Sequence, residues 1–513
     1  MALTGLTTFV GKAKLLAAQL NNMKTVLEAK FNGGIGGADL GWPFTANGNL
    51  NMNGNQILRV SRFRNVYNLA EYTSDIQGLF TTVGAAGGGA IYVPANTTID
   101  LSGVTYTGAY LHLYGQGPTS VLRMAGGSVV DMLRLNVTSS LLIENLRFDG
   151  NNVGSATKAL LRLSTCTNFR VQSVEFINSA GAGVLLDYQT AAGTSCNNAM
   201  FDNCYFTGNN VGDSVRIEDA RNIWFNMCNW DTNTKTAINV APPSASSVTK
   251  NINVRDSLFH QTASVPVIQF RDSAAAAAVS GQVMMTVRDC TFEIAMSANR
   301  AMVEGWYLDN FSFENNYISF TGSTTPCVYL RKSHYINISN NTWATTSADA
   351  ICIGHLGSND ATTITDGCSE ITINGNIGGS IGGRLAVLGY PKMFTVMGNS
   401  VRVGNAAAFA GNVSMIALWS LPNGNAADQF LMGRVCYNSC YNSYYDVLEA
   451  TQVGHAGAAA NIGQNAAFRS RFVCIGNINQ GRACSAAAGL TNNTDVRDTL
   501  LGAQCINEHN VGA

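Results

Sequence analysis

The feature that most constrains this chain is a six-residue segment that returns through most of its length. Each copy starts with an apolar residue and carries polar or small residues behind it, as in IENLRF at 143 and VRDCTF at 287. The copies begin at residues 143, 171, 201, 225, 254, 287, 313, 338, 373, 396, 435 and 473. Starts therefore lie between 23 residues apart (373 and 396) and 39 residues apart (396 and 435), a period typical of solenoid proteins.

The copies have the composition of β-strands. They are rich in β-branched and aromatic residues and are bounded by Asn and Gly, which favours strands over helices. No copy is long enough to bury its own apolar side, so its stability has to come from stacking on the next copy. The chain has 52 glycines and only 12% charged residues, as expected for a turn-rich fold. We therefore predict an all-β parallel coil of about a dozen turns from residue 143 onward.

Two positions of the repeat predict columns of stacked side chains. Strands that stack in register bring equivalent positions to about 4.8 Å spacing, so inward residues form continuous files. The sixth position predicts an aromatic file: Phe148, Phe176, Phe206, Trp230, Phe259, Phe292, Ile318 and Trp343. The fourth position predicts a file of small and amide side chains: Cys204, Cys228, Ser257, Cys290, Asn316, Asn341, Asn376, Asn399 and Asn438. Stacked amides can hydrogen-bond to each other along the coil axis.

The first 70 residues differ from the repeat and predict an appended module. Residues 1–32 contain an apolar seam with 4-3-4-3-4 spacing, made of Phe9, Ala13, Leu16, Leu20, Met23 and Leu27. This spacing fits either a trimeric coiled-coil anchor or one amphipathic helix packed on its own domain. Residues 33–70 are rich in Gly and Asn and predict a linker with short strands.

Charge and cysteine usage exclude several classes of partner. The net charge is -1, so we expect no nucleic acid partner. No apolar run approaches the roughly 20 residues that span a bilayer, and no signal peptide opens the sequence, so we expect no membrane insertion and synthesis in a cytoplasm. The 13 cysteines are scattered and odd in number, which predicts buried thiols rather than disulfides or zinc sites. We expect no metal and no cofactor.

Two segments resemble a known superfamily. Residues 72–101, YTSDIQGLFTTVGAAGGGAIYVPANTTIDL, and residues 111–124, LHLYGQGPTSVLRM, resemble the entry of the pectate-lyase-like superfamily found in phage tailspikes and polysaccharide-degrading enzymes. The resemblance implies a right-handed single-stranded parallel β-helix over residues 71–513. It also implies a capping helix near residues 74–83, with Ser74 or Asp75 as N-cap.

This resemblance implies three alternative functions. The first is a homotrimeric phage tailspike, made in the host cytoplasm and carried on the virion tail. Its N-terminal segment would bind tail or portal-associated proteins, and its β-helix would bind host-surface polysaccharide and cleave it or only hold it. The second is a free-standing bacterial polysaccharide lyase or epimerase, and the third is a structural fibre without glycan affinity.

The second strand of each coil supplies the candidate catalytic residues. Asp219 and Asp272 align two coils apart, which at strand spacing is about 9 to 10 Å. This lies near the upper edge of the roughly 6.5–9.5 Å separation of carboxylates in inverting glycosidases. Glu218 and Glu304 are substitutes for either role. The alternative is that both aspartates cap strand ends and pair with Arg216 and Arg271 on a solvated surface.

The same outward positions supply candidate sugar-binding residues. Aromatic rings stack on sugar rings, and cationic or polar groups bind hydroxyls and charged substituents. These candidates are Trp306, Tyr307, Arg271, Arg331 and His355. For Trp306 the alternatives are burial under a loop or at a subunit contact.

Overall fold

The computed structural model describes most of the chain from residue 66 onward. The described ranges are 66–154, 157–187, 196–209, 211–243, 249–270, 283–354, 368–389 and 391–403, residue 247, and a set of separate strands with adjoining residues. The chain divides into two compact units, Met1–Arg64 and Asn65–Ala513. In the first unit, Leu50–Met52 pairs antiparallel with Asn55–Ile57. The predicted helix over residues 1–32 lies outside the described residues.

The second unit is a right-handed parallel β-helix, as predicted, and its strands form three faces. Three long strands continue from one face into the next: Val104–Tyr114 (faces A and B), Leu133–Asp149 (A, B and C) and Thr167–Ile177 (B and C). Face A also contains Ala159–Ser164, Ala182–Asp187, Val215–Ile217, Ile238–Val240, Ile268–Phe270, Val303–Trp306, Val328–Arg331, Ile351–Ile353, Ala386–Gly389, Ile416–Ser420 and Leu448–Gln452.

Faces B and C complete each coil. Face B contains Val66–Asn68, Gly89–Tyr92, Cys196–Asp202, Ala220–Asn226, Lys250–Arg255, Val283–Arg288, Leu308–Glu314, His334–Ser339, Ser369–Asn374, Met393–Met397, Met432–Cys436, Arg471–Ile475 and Ile506–Glu508. Face C contains Thr97–Leu101, Ser120–Met124, Tyr205–Thr207, Asn229–Asp231, Leu258–Ala263, Thr291–Met296, Tyr317–Thr321, Thr342–Thr346, Ile377–Ile381, Ser400–Val403, Ser439–Tyr441, Ile478–Gln480 and Val511–Gly512.

Two short helices lie at the start of the β-helix. The 3-10 helix is Leu69–Tyr72 and the α-helix, α1, is Ile76–Ala85. Asp75 is the N-cap of α1, and its carboxylate accepts a hydrogen bond from the Gly78 N–H at 2.9 Å. The buried side of α1 contains Leu79, Phe80 and Val83, and the Phe80 ring meets the Tyr106 ring edge-on. The helix therefore packs its apolar side onto the first coils, where a bare strand edge would invite pairing.

The six-residue repeat forms the corner between faces B and C. From Cys196–Asp202 onward, each described face B strand is followed after two residues by a face C strand. The first of the two has a positive φ in each described copy: Asn203, Met227, Asp256, Asp289, Asn315, Asn340, Gly375, Gly398 and Tyr437. Asn, Asp and Gly tolerate this left-handed conformation best, which explains their frequency at the third position of the repeat.

The predicted aromatic file is confirmed. The Trp230 ring stacks on Phe206 at 5.2 Å and on Phe259 at 4.5 Å, with interplanar angles of 6° and 1°. Phe148, Phe176 and Phe292 continue the stack in the same way. All of these rings are fully buried. The interior of the β-helix is therefore a packed apolar column whose ring contacts repeat at the strand spacing.

The predicted amide file is also confirmed. Asn316 donates from Nδ2 to Asn341 Oδ1 at 3.0 Å, and Asn341 donates likewise to Asn376 at 3.0 Å. The chain of amides continues through Asn399 and Asn438. In the earlier coils, cysteine and serine replace asparagine in this file. All ten cysteines with described side chains, inside the file or elsewhere, are buried and form no disulfide.

The last copy of the repeat begins one residue later than predicted. Val435 pairs with Cys474, not with Val473, so the corner in this coil is formed by CIGN rather than VCIG. Asn438 consequently donates to Asn477 Oδ1 at 3.0 Å, and the amide file extends one coil further. The apolar residues at 473, 474 and 475 made the register ambiguous from sequence alone.

The cross-section of the β-helix widens on face C. Asn229–Asp231 has three residues, whereas the next strand, Leu258–Ala263, has six. The longer strand turns Gln261 inward, opposite Ile294. The Gln261 side chain is buried, and neither atom of its amide has a hydrogen-bond partner.

We expect Gln261→Leu to stabilise the protein. An unpaired buried amide costs roughly 1–3 kcal/mol, so its removal should raise the free energy of unfolding by about 1–2 kcal/mol in chemical denaturation. Gln172→Leu, at a half-buried outward position of face B, is the control and should change little. Destabilisation by Gln261→Leu would show that the amide is satisfied in solution.

Candidate functional site

The outward positions of face A form two in-register columns. Register pairing aligns Arg216, Asn239, Gln269, Glu304 and Tyr329 on successive coils. The second column contains Glu218, which follows Ile217, and further along the coil axis Trp306 and Arg331, which pair with each other. Among the predicted candidates that are described, Glu304, Trp306 and Arg331 lie on face A strands. The others, Glu218, Asp219 and Tyr307, lie in the connections that lead from face A to face B.

The outward column is open only along part of its length. The Arg216 side chain is 41% exposed, and Asn239 and Gln269 are half-buried. In contrast, Leu185, one coil before Arg216, and Glu304, one coil after Gln269, are each only 6% exposed. Further along the same column, Cys352 and Val387 are completely buried. We call the stretch formed by Arg216, Asn239 and Gln269 the face A recess. It spans three coils, whereas the candidate residues predicted from the sequence extend from Glu218 to His355.

The first candidate acids lie beside the start of the recess. Arg216 Nε is 3.0 Å from Glu218 Oε1, so Arg216 forms an ion pair with Glu218, whereas the predicted alternative paired Arg216 with Asp219. Asp219 is buried, and its backbone carbonyl accepts a hydrogen bond from the Cys196 N–H at 3.3 Å. Glu218 is therefore the more accessible of the two carboxyl groups.

The remaining acids are spread along the axis. Glu218 and Glu304 belong to coils three apart, so their Cα atoms are separated by roughly 14 Å along the axis. This exceeds the separation that an inverting pair of carboxylates uses. Asp272 and Arg271 lie outside the described residues, as does His355. The separation of Asp219 and Asp272 stays a prediction.

The candidate aromatic residues are covered by cations from the next coil. The Arg331 guanidinium lies over the Trp306 ring, 4.6 Å from its centroid. Lys332 Nζ lies 5.1 Å from the Tyr307 ring centroid and donates to the Tyr307 hydroxyl at 3.0 Å. Both rings are half-buried. These cation–π pairs close the corner between faces A and B where the connection is a single residue, Tyr307.

The sequence interpretation missed a set of aspartates that precede face A strands. Asp131, Asp213 and Asp349 each stand two residues before a strand of face A. Asp131 accepts from the Ala159 N–H at 2.9 Å, and Asp349 accepts from the Arg384 N–H at 2.5 Å. Each bond reaches the next coil. The signal was an Asp-x-apolar start to the strand, visible in DML at 131, DSV at 213 and DAI at 349.

Asp213 belongs to the same set and borders the recess. Its Oδ2 accepts from Asn239 Nδ2 at 2.8 Å. Burial raises the pKa of Asp213, and the Asn239 hydrogen bond and the Arg216 charge offset only part of this effect. Burial also raises the pKa of Asp349, opposed by the Arg384 N–H and charge. A carboxyl group whose ionised form is disfavoured can be replaced by its neutral amide at little cost.

We expect Asp349→Asn to preserve or raise stability at neutral pH. Because the folded-state pKa of Asp349 lies above the unfolded value, the folded protein holds the proton more tightly, and wild-type stability falls as pH rises from the unfolded pKa through the folded one. The amide removes this loss while its oxygen still accepts the Arg384 N–H. Denaturation midpoints measured from pH 4 to 8 should therefore be flatter in the variant.

Asp202→Asn is the control, because its expected effect on stability at neutral pH is opposite to that of Asp349→Asn. Burial alone would raise the pKa of Asp202, but hydrogen bonds from Arg170 and Asn226 outweigh it and the pKa is lowered. Its stabilisation is present above the unfolded pKa and is lost as pH falls through the folded one. Asp202→Asn should therefore destabilise at neutral pH. Equal behaviour of both variants would contradict the assigned charge environments.

The described residues contain no group of three or more His, Cys, Asp or Glu side chains that is able to hold a metal ion. None of the described helices has the length and apolar character needed to cross a membrane.

Comparison with solved structures places the chain among right-handed parallel β-helix proteins. The tailspike protein 3 of bacteriophage CBA120 is similar over 88% of this chain and 68% of its own, with a TM-score of 0.52 and 10% sequence identity. At this identity the likeness concerns the fold alone, and it confirms the predicted fold.

Two further solved structures align with this chain at lower TM-scores. The A-module of the mannuronan C-5 epimerase AlgE6 from Azotobacter vinelandii covers 87% of this chain and 99% of its own, with 14% identity and a TM-score of 0.42. The alignment with the tailspike protein gp49 of Pseudomonas phage LKA1 covers 78% of this chain and 73% of gp49, with 11% identity and a TM-score of 0.39. Neither a family model nor a curated protein matches the sequence.

Proposed function

We propose that this chain is the subunit of a homotrimeric phage tailspike that binds host-surface polysaccharide on face A. The observation that carries the proposal is the face A recess, where Arg216, Asn239 and Gln269 place a cation and two amides in register on a rigid sheet. Such groups bind sugar hydroxyls directionally, and the rigid sheet keeps them in position without further ordering. The likeness in fold to the CBA120 tailspike is consistent with this role.

The attachment and location follow from the same proposal. Residues 1–70 connect the β-helix to phage tail or portal-associated proteins, and the mature protein is located on the virion tail. Sedimentation analysis of the full-length chain is expected to give a trimer. A monomer that still bound polysaccharide would retain the binding role and contradict the spike assembly.

Binding is tested on an array of purified bacterial capsular and lipopolysaccharide glycans. Wild-type protein should bind a restricted set of these glycans. Arg216→Ala removes the cation of the recess and should weaken binding by about tenfold. Arg221→Ala is the matched control because Arg221 is an exposed outward arginine on face B. Absence of wild-type binding across the array would leave the structural-fibre alternative.

Cleavage of the bound glycan is the more specific part of the proposal. Asp219 and Asp272 would act as the acid and base of an inverting hydrolase, with Glu218 or Glu304 as substitutes. Release of reducing ends from a bound polysaccharide is the measurement. Asp272→Asn and Asp219→Asn should each lower the rate at least about a hundredfold. Asp100→Asn, which removes an exposed partner of Arg123 far from the recess, should leave the rate unchanged.

A wild-type rate in Asp272→Asn would overturn the acid pair while leaving binding intact. Binding without release of reducing ends would identify a protein that only holds its glycan.

A further inference from the structure

Along face A, the outward side chains are buried at both ends of the column and solvent-accessible between them. Leu185 lies one coil before Arg216 and is buried with Ala159 and Ala182 in a small apolar cluster separate from the main core. At the other end Cys352 and Val387, also in outward register, form a second such cluster with Tyr329. Apolar outward residues that are buried mark places where the sheet surface is covered.

The open stretch between these two clusters is short. Arg216, Asn239 and Gln269 belong to three successive coils, so the first and last Cα atoms are roughly 10 Å apart along the axis. Beyond Gln269 the column continues with Glu304, which is buried, and with Tyr329, which packs on Cys352. A polymer lying along the axis meets a covered surface on both sides of the recess.

We infer that the face A recess recognises a short segment of the polysaccharide, one repeating unit or a chain end, rather than an extended stretch along the whole solenoid. This inference rests on the proposed function and specifies the size of its ligand. A site of three coils makes all of its contacts with a few sugar rings. Additional rings add no contacts within the recess.

The recess also has a polarity that orients the segment. Arg216 and its partner Glu218 lie at one end, and the two amides of Asn239 and Gln269 follow in the direction of Glu304. Asn239 is held by Asp213, so its remaining hydrogen-bonding capacity is presented in a fixed direction. A charged or strongly polar substituent of the sugar is therefore expected beside Arg216, and unsubstituted hydroxyls beside the amides.

The experiment measures affinity against ligand length. Oligosaccharides of one to eight repeating units, prepared by partial acid hydrolysis of a polysaccharide that the protein binds, are titrated calorimetrically. Affinity should reach its plateau by one or two units. Gln269→Trp fills the recess and should weaken binding at least tenfold, whereas Asn253→Trp, outward and half-buried on face B, should change it less than twofold.

The outcomes separate the two levels of the proposal. Absence of wild-type binding to every glycan of the array would refute the proposed function itself. If wild-type protein binds but affinity keeps rising through eight units, only the inference on ligand length is overturned. Normal binding by Gln269→Trp would show that the recess is not the site, and polysaccharide binding would then belong to another surface of the protein. Loss of binding in Asn253→Trp instead would assign the site to face B.

Discussion

Replacing Trp230 with alanine should destabilise the β-helix by roughly 3–5 kcal/mol. Trp230 is fully buried and has parallel ring contacts on both sides, with Phe206 and Phe259. Its removal leaves a cavity that the neighbouring coils cannot close, because their positions are fixed by the strand hydrogen bonds above and below. Chemical denaturation followed by tryptophan fluorescence or circular dichroism measures the loss.

Trp224→Ala is the matched control for this substitution. Trp224 lies on the preceding strand of the same coil but points outward and is half-buried. Its truncation should cost about 1 kcal/mol or less, since little buried volume is lost. Similar losses for both variants would mean that the aromatic file contributes no more than an ordinary surface contact.

Replacing Asn376 with alanine should cost about 3 kcal/mol or more. The Asn376 amide donates to Asn399 Oδ1 at 2.9 Å and to the Ile338 carbonyl at 3.0 Å. Its oxygen accepts from the backbone N–H and the side-chain amide of Asn341, at 3.1 and 3.0 Å. Alanine leaves several of these buried groups unpaired, at roughly 1–3 kcal/mol for each.

The control for the amide file is Asn340→Gly. Asn340 is exposed, adjoins the file, and has a φ of 56°, which glycine adopts without strain. The expected cost is below about 1 kcal/mol, and denaturation midpoints of the two variants give the comparison. A loss for Asn340→Gly that matched the loss for Asn376→Ala would place the stabilisation in the turn conformation, not in the amide hydrogen bonds.

The interior of this protein was predictable from sequence because stacking converts a repeat position into a column. Once the copies at 201, 225 and 254 are aligned, Phe206, Trp230 and Phe259 have to share a file, and the register pairs confirm it. Among the described strands, the predicted register of the repeat failed where apolar residues are adjacent, at Val473 and Cys474. There the hydrophobic pattern alone does not select between neighbouring registers.

The candidate site was less predictable, because exposure depends on more than strand alternation. Outward residues such as Glu304 and Cys352 alternate correctly with inward ones, yet both are buried. Alternation tells which side of the sheet a residue occupies, and it contains no information on what covers that side. Asp213 was missed for a related reason: it precedes its strand, and its contact with Asn239 belongs to the next coil.

Two corners of the β-helix differ in the length of their connections. The first lies between faces B and C, and the second lies between faces A and B. The first is a two-residue connection in every described coil from Cys196–Asp202 onward and contains the buried amides. The second ranges from the single residue Tyr307 to the 18 residues between Gln452 and Arg471. The corner between faces C and A also varies, from the four residues between Ala263 and Ile268 to the twelve between Val403 and Ile416. Changes in the length of the connections are thus concentrated at the two corners that flank face A, which contains the recess. Under the proposed function, a lineage can vary what surrounds the bound glycan while the amide file and the aromatic stack are inherited intact, so that specificity and stability evolve on separate parts of each coil.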